Sequence, residues 1–147
     1  MEINKIKQGK QNRQRGKRWE EKIRTDLTNK GYFVSKWTSN IDLETGNLVP
    51  AKPKYNPFLK RILFTGVGFP DFFAYKKVDS LFDVIGIECK IQGFLTQEEK
   101  AKCQKLLEKG VFNKIQIAKL GEKRGEIVYG EFNPFNKKIN WEINNED

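Results

Sequence analysis

Phe69-Pro70-Asp71-Phe72-Phe73-Ala74-Tyr75, followed after a polar stretch by Leu81-Phe82-Asp83-Val84-Ile85-Gly86-Ile87-Glu88-Cys89-Lys90, decides the fold. Phe72 to Tyr75 is a short apolar run, and the longer second segment carries the β-branched residues Val84, Ile85 and Ile87, so both read as strands. Lys76 to Ser80 is a polar turn between them, which makes the two a hairpin. Successive strand side chains point to opposite faces, so Glu88 and Lys90 share one face while Ile87 and Cys89 share the other. The hairpin then brings Asp71, at the start of one strand, to Glu88 and Lys90 at the end of the next. Two carboxylates and an ammonium meet at one corner of a sheet.

Carboxylates that close repel and raise each other's pKa unless a cation lies between them, which suggests Mg²⁺, with Mn²⁺ as a substitute. The expected ligands are Asp71, Glu88, the backbone carbonyl of Cys89 and waters. Lys90 would orient or help deprotonate the attacking water and stabilise negative charge in the transition state. A helix over about 13 to 30 adds a further carboxylate. At 100° per residue Trp19, Ile23 and Leu27 fall at about 0°, 40° and 80°, a stripe that faces the sheet. Glu20, at about 100°, borders the stripe and can reach the metal through a water, whereas Glu21, at about 200°, points to solvent. The expected catalytic set is Glu20, Asp71, Glu88 and Lys90.

Outward from this corner, helix and strand periods alternate. The first helix stops at Gly31, and residues 32–37 read as a strand. A long loop covers about 39 to 67, and Gly66 and Gly68 serve turn geometry ahead of Phe69. Thr96 with Glu99 is a capping-box pattern that opens a helix over about 97 to 109, ended by Gly110, with Cys103, Leu106 and Leu107 as its apolar face. Strands follow at about 112–119 and 126–132, and a last one near 138–143 pairs back across Asn133-Pro134-Phe135-Asn136. The expected architecture is α/β, in the order α-β-β-β-α-β with a C-terminal β extension, as a mixed sheet flanked by helices.

The 147 residues read as a single domain, residues 1–147. No apolar run is long enough to span a bilayer and none follows the basic N-terminus as in a signal peptide, so the expectation is a soluble, cytoplasmic protein. Cys89 and Cys103 read as small buried hydrophobes. The chain has no histidine, which removes His-ligated zinc, HNH-type nuclease chemistry and imidazole-dependent triads.

A formal charge of +9 points to a polyanionic partner. Residues 1–18 hold seven cations (Lys5, Lys7, Lys10, Arg13, Arg15, Lys17, Arg18) against Glu2 alone, a balance of +6. Residues 1–12 read as a flexible basic arm. A second group, Lys52, Lys54, Lys60 and Arg61, is interleaved with Tyr55, Phe58 and prolines, which suits a loop that tracks phosphates. The residues expected on DNA are Lys10, Arg13, Arg15, Lys17, Arg18, Lys52, Lys54, Lys60 and Arg61. Basic charge beside a metal-holding carboxylate pair is the equipment of a metal-dependent nuclease.

Pro70-Asp71 followed by Glu88-Cys89-Lys90 resembles the signature of the PD-(D/E)XK nuclease superfamily. Gly16 and Glu20, within Arg15-Gly16-Lys17-Arg18-Trp19-Glu20-Glu21-Lys22, followed by Gly31-Tyr32-Phe33-Val34, are similar to the opening of archaeal-type Holliday junction resolvases. The likeness covers residues 13–119 or so. It implies a restriction-endonuclease-like core and a homodimer with two sites, each cutting one strand of branched DNA by Mg²⁺-dependent phosphodiester hydrolysis. The 40–68 stretch is longer than such resolvases have there. The catalytic strand leading into Thr96 and its helix also resembles VRR-NUC domains, which include flap and junction nucleases and virus-borne stand-alone domains. A flap or duplex nuclease is therefore an alternative, and a non-catalytic nucleic-acid-binding protein of the same fold is the rival from another class. The C-terminal strands and the apolar residues Phe132 and Trp141 are candidate interface material.

Overall fold

The computed structural model describes residues 2–51, 54–63 and 68–142. The helix α1 (Glu2–Asn29) is followed by β1 (Phe33–Lys36), β2 (Ser39–Ile41), β3 (Leu48–Pro50), β4 (Lys54–Asn56), β5 (Arg61–Leu63), β6 (Phe72–Val78) and β7 (Leu81–Cys89). Then come α2 (Gln97–Glu108), β8 (Lys114–Leu120), β9 (Ile127–Phe132) and β10 (Ile139–Trp141). Six strands form one mixed sheet in the order β1-β6-β7-β8-β9-β10, in which only β7 and β8 run parallel. The parallel pair is joined through α2, as a parallel connection requires. The elements that build this sheet follow the expected α-β-β-β-α-β order, with β9 and β10 as the extension.

Strand alternation gives the sheet two apolar faces. Trp19, Ile23 and Leu27 of α1 pack on Phe72, Ala74, Ile85 and Ile87 on one face. On the other, Cys103 and Leu106 of α2 pack with Phe69, Phe112, Ile115 and Ile117. Residues adjacent in β7 therefore serve opposite cores, and Ile85 and Ile87 belong to the α1 side. Thr96 caps α2 as anticipated: its hydroxyl accepts from the Glu99 N–H, and the Glu99 carboxylate accepts from the Thr96 N–H.

Three expectations change. The 1–12 arm is helical from Glu2 on, so α1 starts well before residue 13. Its Lys, Gln and Arg residues are good helix formers and no proline interrupts them. The 39–67 loop holds two antiparallel hairpins, β2–β3 and β4–β5. Their three-residue strands are too short to register as period-2 patterns, and the first is closed by Asp42 and Gly46, the latter at φ +70°. Phe132 is core, 2 % exposed, rather than interface material, and Trp141 packs over Lys119 and Gly93. Gly66 lies outside the described residues. Gly68 answers a close approach, since a Cβ there would collide with the Trp37 carbonyl. Among the described residues no helix is long and apolar enough to cross a membrane.

Candidate active site

Register builds the site. Phe72 pairs with Ile87 across the antiparallel β6–β7 ladder, so the next residues outward, Asp71 and Glu88, stand opposite each other. They bind each other's strand. The Asp71 N–H donates to Glu88 Oε2 at 3.2 Å, and the Cys89 N–H donates to Asp71 Oδ2 at 2.8 Å. Each carboxylate keeps a second oxygen, and Glu88 Oε1 lies 3.7 Å from Lys90 Nζ. Asp71 is held from behind by its carbonyl, which accepts from the Trp37 N–H at 3.1 Å, and by the buried Pro70 that precedes it. Pro70 in turn nests on Gly86, where an added Cβ would lie 2.9 Å from the proline ring.

Glu88 is the one buried charged residue among the described residues, 6 % exposed. Burial, and then the neighbouring Asp71, push its carboxyl well above the usual carboxylate range. Burial also raises Asp71, although the Cys89 amide, Lys90 and Lys36 pull the other way. A carboxylate pair desolvated to this degree is poorly satisfied by one ammonium and two amides, and its two remaining oxygens are acceptors of the hard type that divalent cations take. The pair offers such an ion two donors, a partial set that the Cys89 carbonyl, water and substrate would have to complete. Among the described residues no three acidic or thiol side chains stand close enough to hold a metal by themselves.

Lys90 sits between the pair and α2. Its ammonium is 2.6 Å from Glu99 Oε2. Burial alone would lower its pKa, but the hydrogen bond to Glu99 and the charges of Glu88, Glu99 and Asp71 outweigh burial and raise it. Burial likewise works against the Glu99 carboxylate, and the bonds from Lys90 and Thr96 overcome it and lower that pKa. Lys90 is thus a charged donor at neutral pH. That favours stabilising negative charge over accepting a proton.

Glu20 lies on the α1 side as the stripe geometry requires, half-buried, with Glu21 exposed. Burial and then the charge of Asp71 raise its pKa, and Lys36 Nζ stands 3.9 Å from its Oε2. It flanks the Asp71–Glu88 pair without joining a three-ligand cluster with it. Of the residues expected on DNA, Lys10, Arg13, Lys17 and Arg18 are exposed on α1, and Arg15 is exposed where α1 meets the site. Lys60 and Arg61 are exposed on the β4–β5 hairpin. Lys52 lies outside the described residues, and Lys54 is described in its backbone only.

Two site residues escape the sequence reading. Lys36 is an ordinary strand lysine until the β1–β6 pairing places it opposite Phe72, beside Asp71 and Glu20. Glu99 reads as a helix cap, which it is, but its carboxylate also anchors Lys90. The position of a Glu in the first turn after the Glu-x-Lys strand was the available signal. Comparison finds no family model, no curated protein and no solved structure that matches this chain.

Proposed function

We propose that this protein is a metal-dependent endodeoxyribonuclease of the PD-(D/E)XK type, with a restriction-endonuclease-like core, directed to branched DNA. The observation that carries the reading is the reciprocal pair. Asp71 and Glu88 each accept the other strand's amide, are desolvated together, and face a lysine kept charged by a third carboxylate. A purely structural corner has no use for a buried carboxylate set against a second, half-buried one whose charge repels it. A DNA-binding surface has less, since they also repel phosphate.

Asp71 and Glu88 with the Cys89 carbonyl would hold Mg²⁺ or Mn²⁺, which when bound lowers the pKa of water and offsets charge on a phosphoryl oxygen. In hydrolysis the water oxygen forms a bond to phosphorus, the bond from phosphorus to a deoxyribose oxygen breaks, and that oxygen leaves with a proton. The Lys90 ammonium, fixed by Glu99, would donate to the oxygen that gains charge. Glu20, half-buried beside Asp71, is placed to orient water on the α1 side. The cations of α1 and of the β4–β5 hairpin bind backbone phosphates regardless of sequence. A homodimer with two such sites belongs to the same reading, and sedimentation of the full chain checks it.

The test is cleavage of an end-labelled four-way junction beside a linear duplex of the same sequence in Mg²⁺ or Mn²⁺, with Asp71→Ala as blank. Paired cuts in the junction alone, absent from the variant, are expected. Cutting of both DNAs would leave a nuclease of flap or duplex type. Binding of both with no cutting would replace the enzyme by a non-catalytic nucleic-acid-binding protein.

A further inference from the structure

Between α1 and the loop that leaves β7 lies a groove of about 390 Å³, lined by Arg15, Gly16, Trp19 and Glu20 on one side and by Lys90 and Phe94 among others opposite. It shares Glu20 and Lys90 with the candidate site and continues away from the Asp71–Glu88 pair. Its volume falls in the range of small-molecule sites rather than of a duplex groove. Three features of its walls, a glycine, an exposed ring and one polar atom, are not accounted for by packing within the chain.

The first is Gly16. Glycine inside a helix costs about 1 kcal/mol relative to alanine. Its φ is not positive, and an added Cβ would meet nothing within 4 Å, so neither backbone geometry nor packing within the chain calls for glycine there. Its effect is to open the helix backbone to whatever enters the groove. The second is Phe94, 78 % exposed beside a charged site. The turn before it closes through Gly93 N–H to the Lys90 carbonyl at 2.9 Å. Gly93, at φ +78°, is buried where a Cβ would press on Lys119 and Trp141. The third is Trp19, which is 6 % exposed and whose indole N–H has no hydrogen-bond partner. Arg15 supplies the charge.

We infer that this groove holds one unpaired nucleotide of a DNA strand next to the phosphate to be cut, its phosphate on Arg15 and its base stacked on Phe94 against the bare backbone at Gly16. A paired base is stacked on both faces and cannot present one to a side chain. A phenylalanine platform accepts any base, so the groove selects single-strandedness and not sequence. This rests on the nuclease reading and narrows it: the substrate is DNA with an unpaired nucleotide at the cut, as at a flap, a bubble or an opened branch point.

The test is a binding measurement that needs no cleavage. The full chain carrying Asp71→Asn is titrated with a labelled single strand, with the fully paired duplex, and with the duplex carrying an unpaired stretch. Base stacking of the usual strength predicts that adding Phe94→Ala weakens single-strand and unpaired-stretch binding by roughly 10- to 100-fold and duplex binding by less than about twofold. Phe94→Trp keeps the preference because it keeps the platform. Arg15→Ala lowers the slope of log K against log salt by about one on the single strand and the unpaired stretch, and by less on the fully paired duplex. Phe94 is exposed, so its truncation leaves the core whole, and circular dichroism confirms that. Equal losses on paired and unpaired DNA, or no loss on either, would overturn the inference while leaving cleavage untouched. A Phe94-dependent preference in a protein that never cuts DNA would keep the groove as a site for an unpaired nucleotide and sink the nuclease reading instead.

Discussion

Removing one charge from the reciprocal pair should uncouple the protein's stability from divalent metal. In the folded chain the Asp71 and Glu88 pKa values are raised by burial, and for Glu88 next by the charge of its partner. A raised carboxyl favours folding only while protonated. Its contribution is full below the ordinary values near pH 4 and is lost as pH rises through the folded-state values. At neutral pH without metal the pair therefore destabilises the fold, and a cation bound by the ionised pair offsets that. At free Mn²⁺ a hundredfold above its Kd, mass action adds about 2.7 kcal/mol. For a chain of this length each kcal/mol moves Tm by about 3 °C, so a shift of about 8 °C is expected. Asp71→Asn and Glu88→Gln each keep a carbonyl oxygen to accept from Cys89 or Asp71, so the ladder corner stays hydrogen-bonded. Both variants should melt at or above wild type without metal and lose most of the Mn²⁺ response, read by scanning calorimetry at pH 7.5. Equal metal shifts in wild type and both variants would refute the pair as the ligands. Metal-free variants melting far below wild type would show that the charges support the fold, which contradicts the argument from burial.

Three further outcomes follow from other parts of the molecule. Glu99→Gln keeps the capping box, for which glutamine serves as well, but loses the 2.6 Å ion pair to Lys90. Its Tm should fall by no more than a few degrees while kcat drops on the order of 10-fold, against on the order of 100-fold for Lys90→Ala in the same steady-state assay. Gly86→Ala sets a methyl 2.9 Å from the Pro70 ring and 3.1 Å from Phe112, neither of which can swing aside. Overpacking of about 1–3 kcal/mol is expected in urea unfolding, with reduced metal affinity because Pro70 carries Asp71. Replacing Lys10, Arg13, Lys17 and Arg18 together by alanine should reduce the salt slope of duplex binding by up to about 3.6 and leave the Mn²⁺ melting shift intact.

How far the sequence could be read follows from the range of the interactions involved. The β6–β7 corner was legible because a hairpin ties residues close in sequence, and alternation alone separates Glu88 and Lys90 from Ile87 and Cys89. The α1 stripe and the Thr96–Glu99 cap were legible for the same local reason. Lys36 was not, because its place depends on β1 pairing with β6 across more than thirty residues, and no side-chain pattern in a four-residue strand fixes that register. The two small hairpins in 39–63 were missed because three-residue strands carry too few alternations to outweigh the prolines around them. The N-terminal arm was misjudged because charge density suggested disorder, whereas the residues bearing the charge are themselves helix formers.

The helical form of the arm bears on function. A cationic coil would bind DNA and leave its position relative to the site undefined. As one continuous helix, α1 is anchored by Trp19, Ile23 and Leu27, and at about 1.5 Å per residue its exposed cations from Lys5 to Arg18 stand at fixed distances from Glu20. In the proposed nuclease, phosphates bound by the arm would then be held in register with the Asp71–Glu88 pair. The join between anchored and exposed halves falls at Gly16, the same residue that opens the groove. Grip and groove are thus two ends of one continuous helix, and inserting a residue between Lys10 and Gly16 should rotate Lys5, Lys7 and Lys10 by about 100° about the axis relative to Glu20. Such an insertion variant should keep its Tm and its salt slope, yet shift or lose the position of cutting on a labelled strand. If the cut position is unchanged, the arm contributes affinity alone and its helical form has no part in aiming the DNA.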